Sequence, residues 1–133
     1  MYVSIFKDSE VTSVVKGPDN KAMIVTFTLD GQDFVALNGG PMHTFTEAIS
    51  MSVDCADQEE VDYMWEKLSK GGSEGQCGWL KDQYGLSWQV VPRALVTLMS
   101  DPDREKAMRV IQVMMKMTKI NISELQEAYD QKS

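Results

Sequence analysis

Apolar and polar positions alternate through the first third of the chain. Val11–Val15 is a short β-branched run that ends at the turn residues Gly17-Pro18-Asp19-Asn20. From Ala22 to Leu29 the side chains Val25, Phe27 and Leu29 fall on one face, and Thr26 and Thr28 on the other. Asp30-Gly31 is the signature of a tight type I′ turn. A return strand, Phe34–Asn38, then stops at Gly39-Gly40-Pro41. The pattern predicts a β meander.

The middle of the chain changes period. Ala48–Val53 alternates, with Ile49, Met51 and Val53 opposite Ser50 and Ser52, and reads as a strand. Asp57 stands three residues before Glu60, a capping-box spacing. Val61, Met64, Trp65 and Leu68 then share one helical face, and Gly71-Gly72 supplies the stop. Next come two short strands around a turn from Asp82 to Gly85, carrying Trp79 and Trp88. Strand, helix and antiparallel strands together make one βαβββ module.

The last third is predicted to be helical. Pro92–Met99 is a short apolar segment. Asp101-Pro102 reads as a cap followed by a proline at the first helical position, opening a helix to about Lys119. Asn121, with Glu124 three residues on, starts a last turn or two. The long helix carries Ala107, Met108, Val110, Ile111, Val113, Met114, Met115 and Met117, more than a single stripe. It is therefore expected to be buried on two sides or to meet a second subunit, with the methionines as adaptable packing.

Composition narrows the function classes. With 133 residues the chain fits one domain with a real core. A net charge of −7 and a pI near 4.6 argue against nucleic acid and anionic membrane surfaces. No apolar stretch approaches the roughly 18 residues of a membrane span, and Met1–Phe6 is too short and uncharged for a signal peptide. Cys55 and Cys77 have no CxxC partner, so a cytoplasmic location with free thiols is expected. Cys77 has no neighbouring His to activate it and reads as a structural or weakly lining thiol. Trp79 and Trp88 read as core, and Glu59, Glu60, Asp62 and Glu66 as a solvated helix face. No P-loop, GxGxxG or Ser/His/Asp order is present.

Five stretches resemble the PhnB-like family of the vicinal oxygen chelate superfamily, which includes glyoxalases, bleomycin-resistance proteins and ring-cleaving dioxygenases. They are Tyr2–Phe6, Phe34–Pro41, Phe45–Ser50, Gln58–Asp62 with Trp65, and Gln76–Pro92. The resemblance implies an α+β fold of paired βαβββ modules forming a cupped half-barrel around a small-molecule site. It divides the chain into an incomplete first module at 1–41, a second module at 45–92 and C-terminal helices at 93–133. The first module lacks the family's opening strand, which leaves a sheet edge open and favours a homodimer.

Metal-dependent members hold a divalent cation with a His or Gln and a Glu from each module. Carried over, those positions fall on Ala48, Gln89 and near Ala36, and alanine cannot ligate. His43 is the lone histidine. No intrinsic metal and no cofactor are expected. The family often bears a demethylubiquinone methyltransferase label. No glycine-rich loop here opens a helix after a strand to hold a methyl donor, so methyl transfer is not expected.

Strand alternation gives the cup its lining. With Ile49, Met51, Val53, Val35, Leu37, Trp88 and Val90 packed away, the candidates facing inward are Phe34, Asn38, Ser50, Ser52, Ser87 and Gln89. That surface is small, neutral and hydrogen-bonding, and suits a small ligand. The leading expectation is a metal-free small-molecule-binding protein of the vicinal oxygen chelate type. Two others stand beside it. One is an enzyme of the superfamily, a lyase, isomerase or transferase, with a borrowed or dimer-completed metal site. The other is a non-catalytic dimeric protein with a vestigial cup.

Overall fold

The β-branched runs form strands, the return strand beginning two residues earlier than the expected Phe34. In the computed structural model, which describes residues 1–131, β1 is Glu10–Lys16, β2 is Ala22–Leu29 and β3 is Gln32–Leu37. They pair antiparallel in the order β1-β2-β3. Asp30 and Gly31 have φ of 49° and 78°, as the tight turn between β2 and β3 requires. A 3-10 helix, Tyr2–Ser4, precedes them, and the ring of Tyr2 stacks on Phe27 at 6.5 Å. These elements form one compact unit, Met1–Thr44.

The second unit begins at Phe45. Its sheet is β4 (Ser50–Cys55), β5 (Ser73–Glu74), β6 (Trp79–Lys81) and β7 (Ser87–Pro92), in the order β4-β7-β6-β5. β4 runs parallel to β7, and the hairpin β6–β7 is antiparallel. Helix α1, Gln58–Ser69, crosses from β4 to β5 and completes a βαβββ module. The capping box forms: Asp57 Oδ1 accepts from Glu60 N–H, and Glu60 Oε2 accepts from Ala56 N–H. Its expected apolar stripe is the buried one: Val61, Met64, Trp65 and Leu68.

β4 starts two residues later than expected. The Thr46 hydroxyl accepts from Ala48 N–H, and its carbonyl accepts from Ile49 N–H, so a local turn competes with the ladder. Three helices follow: α2 (Arg93–Met99), α3 (Arg104–Met114) and α4 (Ile122–Asp130). Their core is Leu95, Leu98, Val110, Met117, Ile120 and Leu125.

Helix α3 departs from expectation at both ends. Its cap is Asp103, whose Oδ1 accepts from Glu105 and Lys106 N–H. Asp101 instead accepts from Asp103 N–H and from the Tyr129 hydroxyl at 2.7 Å. The helix stops at Met114, short of Lys119. Beyond it the carbonyls of Met117 and Thr118 accept from Cys77 and Gly78 N–H at 2.8 Å, so a tertiary stitch overrides helix propensity. Within the chain α3 buries one stripe, Ala107 and Val110, rather than two sides. Met108 and Met115 are exposed. Among the described residues no helix is long and apolar enough to cross a membrane.

Candidate functional site

The parallel pairing of β4 and β7 sorts their side chains into two faces. Val53, Cys55, Trp88 and Val90 are buried, with Leu80 of β6 on the same side. The opposite face carries Ser50, Ser52, Ser87 and Gln89 together with Trp79 and Lys81. Four of the six candidate residues therefore stand side by side. Gln89 Nε2 donates to Ser50 Oγ at 2.9 Å, which ties β7 to β4 across this face.

Phe34 and Asn38 lie in the first unit, and the structure differs there from the expected assignment of faces. Phe34 pairs with Phe27, and their rings stack at 5.7 Å, on the side where Tyr2 also stacks. Val35 and Leu37, expected to pack away, stand on the opposite face at 69% and 68% exposed. Asn38 closes the strand end, donating from Nδ2 to the Ala22 carbonyl at 2.9 Å. On a strand with apolar residues at consecutive positions, alternation does not say which face is covered; the stacked rings decide it.

The hairpin holds its shape through Asp82, a buried carboxylate that alternation alone does not reveal. Asp82 Oδ1 accepts from Tyr84 and Leu86 N–H, and Oδ2 accepts from Trp88 Nε1–H at 2.9 Å. Trp88 is thus core, as expected, with its indole nitrogen satisfied. Trp79 is only half-buried. It lines a cavity of about 290 Å3 together with Glu47, Ser73, Lys81 and Ser87. Lys81 pairs with Glu47, and that hydrogen bond is the main reason the Glu47 carboxyl lies below its usual carboxylate value. Ser87 is 1% exposed, and its Oγ has no hydrogen-bond partner among the described residues.

Trp79, Lys81 and Glu47 were not among the expected lining residues. For two of them the signal was present: Trp79 and Lys81 flank the apolar Leu80, so period two puts both on the polar face. Glu47 lies outside any strand and has no periodic signal.

The superfamily's metal does not fit this donor set. Ala48 lies outside β4 and carries no ligating atom, and Gln89, whose amide nitrogen donates to Ser50, could offer a metal only a single neutral oxygen. His43 is an exposed loop residue. Among the described residues no group of three or more His, Cys, Asp or Glu could hold a metal ion. Cys77, at φ 60°, donates its backbone N–H to Met117 and sits in the stitch to the helical segment. Cys55 is fully buried at the end of β4.

Comparison with known proteins bears on the same elements. A family model described as 3-demethylubiquinone-9 3-methyltransferase matches residues 1–91. A PhnB protein from Bacillus cereus is 33% identical with a TM-score of 0.63, covering 68% of this chain and 84% of its own. Protein PA1353 from Pseudomonas aeruginosa is 16% identical with a TM-score of 0.53, covering 62% of this chain and 77% of its own, a likeness of fold alone. No curated protein matches this chain.

Proposed function

The chain belongs to the 3-demethylubiquinone-9 3-methyltransferase (PhnB-like) family, with its glyoxalase-like fold, and from that membership we propose that it binds a small molecule on the polar face of its second sheet without a metal ion. One observation carries this proposal. Ser50, Ser52, Ser87 and Gln89 share the face of β4 and β7 opposite the buried apolar one, with Ser87 on the wall of the cavity at Trp79. A concave surface with a few convergent polar groups is the usual form of a small-ligand site.

The family takes its name from a methyl transfer. In this sheet α1 follows β4 through a short loop and opens with Asp57-Gln58-Glu59-Glu60, an acidic turn without glycine, and α2 follows β7 directly, with no loop between Pro92 and Arg93. That is a poor cradle for a methyl donor of the usual dinucleotide-like kind. Binding without an assigned reaction is the better account. A homodimer and a cytoplasmic location belong to the same proposal. The first is supported by the exposed Val35 and Leu37 and the second by two free thiols.

The test is a fragment screen read by amide chemical shifts on the full chain. Binding fragments are expected to move the resonances of β4, β6 and β7. Shifts confined to α2–α4, or none across the set, would overturn the proposal.

A further inference from the structure

The cavity at Trp79 also indicates what kind of molecule it takes, provided that the small-molecule proposal above holds. Ser87 is the cross-strand partner of Lys81. Directly opposed residues bring their Cβ atoms to roughly 5 Å, so the hydroxyl and the ammonium can be reached from one point. Trp79, two residues before Lys81 on β6, presents its ring on the same side. The Ser87 hydroxyl is buried and unpartnered among the described residues. Leaving it so carries the desolvation cost of a buried donor, unless something polar enters the cavity. A hydroxyl donor and an ammonium group converging on one space favour an oxyanion.

One oxyanion already sits there. The Glu47 carboxylate holds Lys81 from the turn before β4, at side-chain exposures of 64% and 44%. An ion pair this exposed is weak and readily exchanged. The other carboxylate on the cavity wall, Glu74, is engaged elsewhere, accepting from Trp65 Nε1–H at 2.9 Å. A volume of about 290 Å3 corresponds to roughly ten waters of liquid. That suits a molecule with one ring rather than a long chain.

We propose that Glu47 is a resident stand-in, and that the cavity takes a small planar carboxylic acid. Its carboxylate displaces Glu47 and bridges Lys81 Nζ and Ser87 Oγ, while its ring lies against Trp79. No bond is made or broken. Glu47 then acts as an internal competitor, which sets the affinity for the acid and discourages neutral molecules of the same shape.

Titration calorimetry of the full chain with benzoate and benzamide tests this. Benzoate is expected to bind saturably, at least tenfold tighter than benzamide. Glu47→Gln, an exposed and fold-neutral change, is expected to tighten benzoate several-fold by freeing Lys81. Lys81→Met is expected to weaken it at least tenfold, and Ser87→Ala several-fold. Equal affinity for benzamide, or weaker benzoate binding by Glu47→Gln, would overturn the proposal. Non-acidic fragments that shift β4 and β7 while benzoate does not would overturn the acid assignment and leave the sheet-face proposal standing. No binding of any kind would remove both.

Discussion

Residues in this chain do their work through burial as much as through charge. Cys55 shows the cost side. Burial, reinforced by Glu60, pushes its thiol up to about 12, whereas the unfolded thiol ionises near 9.0. The sign follows directly. Between those values the unfolded chain loses a proton that the folded chain keeps, so Cys55's contribution to stability is intact below pH 9 and is lost as pH rises toward 12. The companion expectation is selective alkylation. At pH 8, iodoacetamide should modify Cys77 and spare Cys55 until urea unfolds the chain, as read by intact mass. Equal rates at the two cysteines in the native protein would contradict the buried placement. Ser87 shows the opposite case, a buried hydroxyl left available. Its burial was not legible from sequence, because alternation gives a face and not the depth of cover.

At the scale of elements, local rules held where each residue had one strong option. β2 runs from Ala22 to Leu29 as its alternation says, and α1 begins after Asp57 as its capping box says. They failed where two neighbouring residues offered the same chemistry. Asp101 and Asp103 are both competent caps, and Asp101 is engaged elsewhere, by the Asp103 N–H and by the Tyr129 hydroxyl 28 residues away. The consequence is measurable. Asp103→Ala should cost about 1 kcal/mol in urea unfolding, the usual value of a helix cap. A change within a few tenths would place the cap elsewhere. The early end of α3 has a similar cause: Met115–Lys119 has good helical propensity, yet its carbonyls serve Cys77 and Gly78, a partner no local window contains. The edge of β4 moved for a local reason, the turn made by Thr46.

On the scale of the whole molecule, the fold was legible because several specific stretches agree with one family, and the family model covers residues 1–91. Alternation puts candidate lining residues together on one face only in the second sheet. Ser50, Ser52, Ser87 and Gln89 share one face, whereas Phe34 is stacked within the first unit's aromatic cluster. The assembly is open to a direct test. Met115 is 62% exposed, so Met115→Lys should leave a single chain folded. If the methionine-rich helix meets a second copy, the same change should halve the mass seen by light scattering. Unchanged mass and stability would remove that helix from the interface.

The most direct measurement of the central claim is native mass spectrometry of the purified protein, with metal analysis of the same sample. The expected result is a small-molecule mass carried noncovalently on the chain, with no stoichiometric metal. About one divalent metal per chain, or chains that stay bare after exposure to the fragment mixture, would contradict a metal-free binding face on the second sheet.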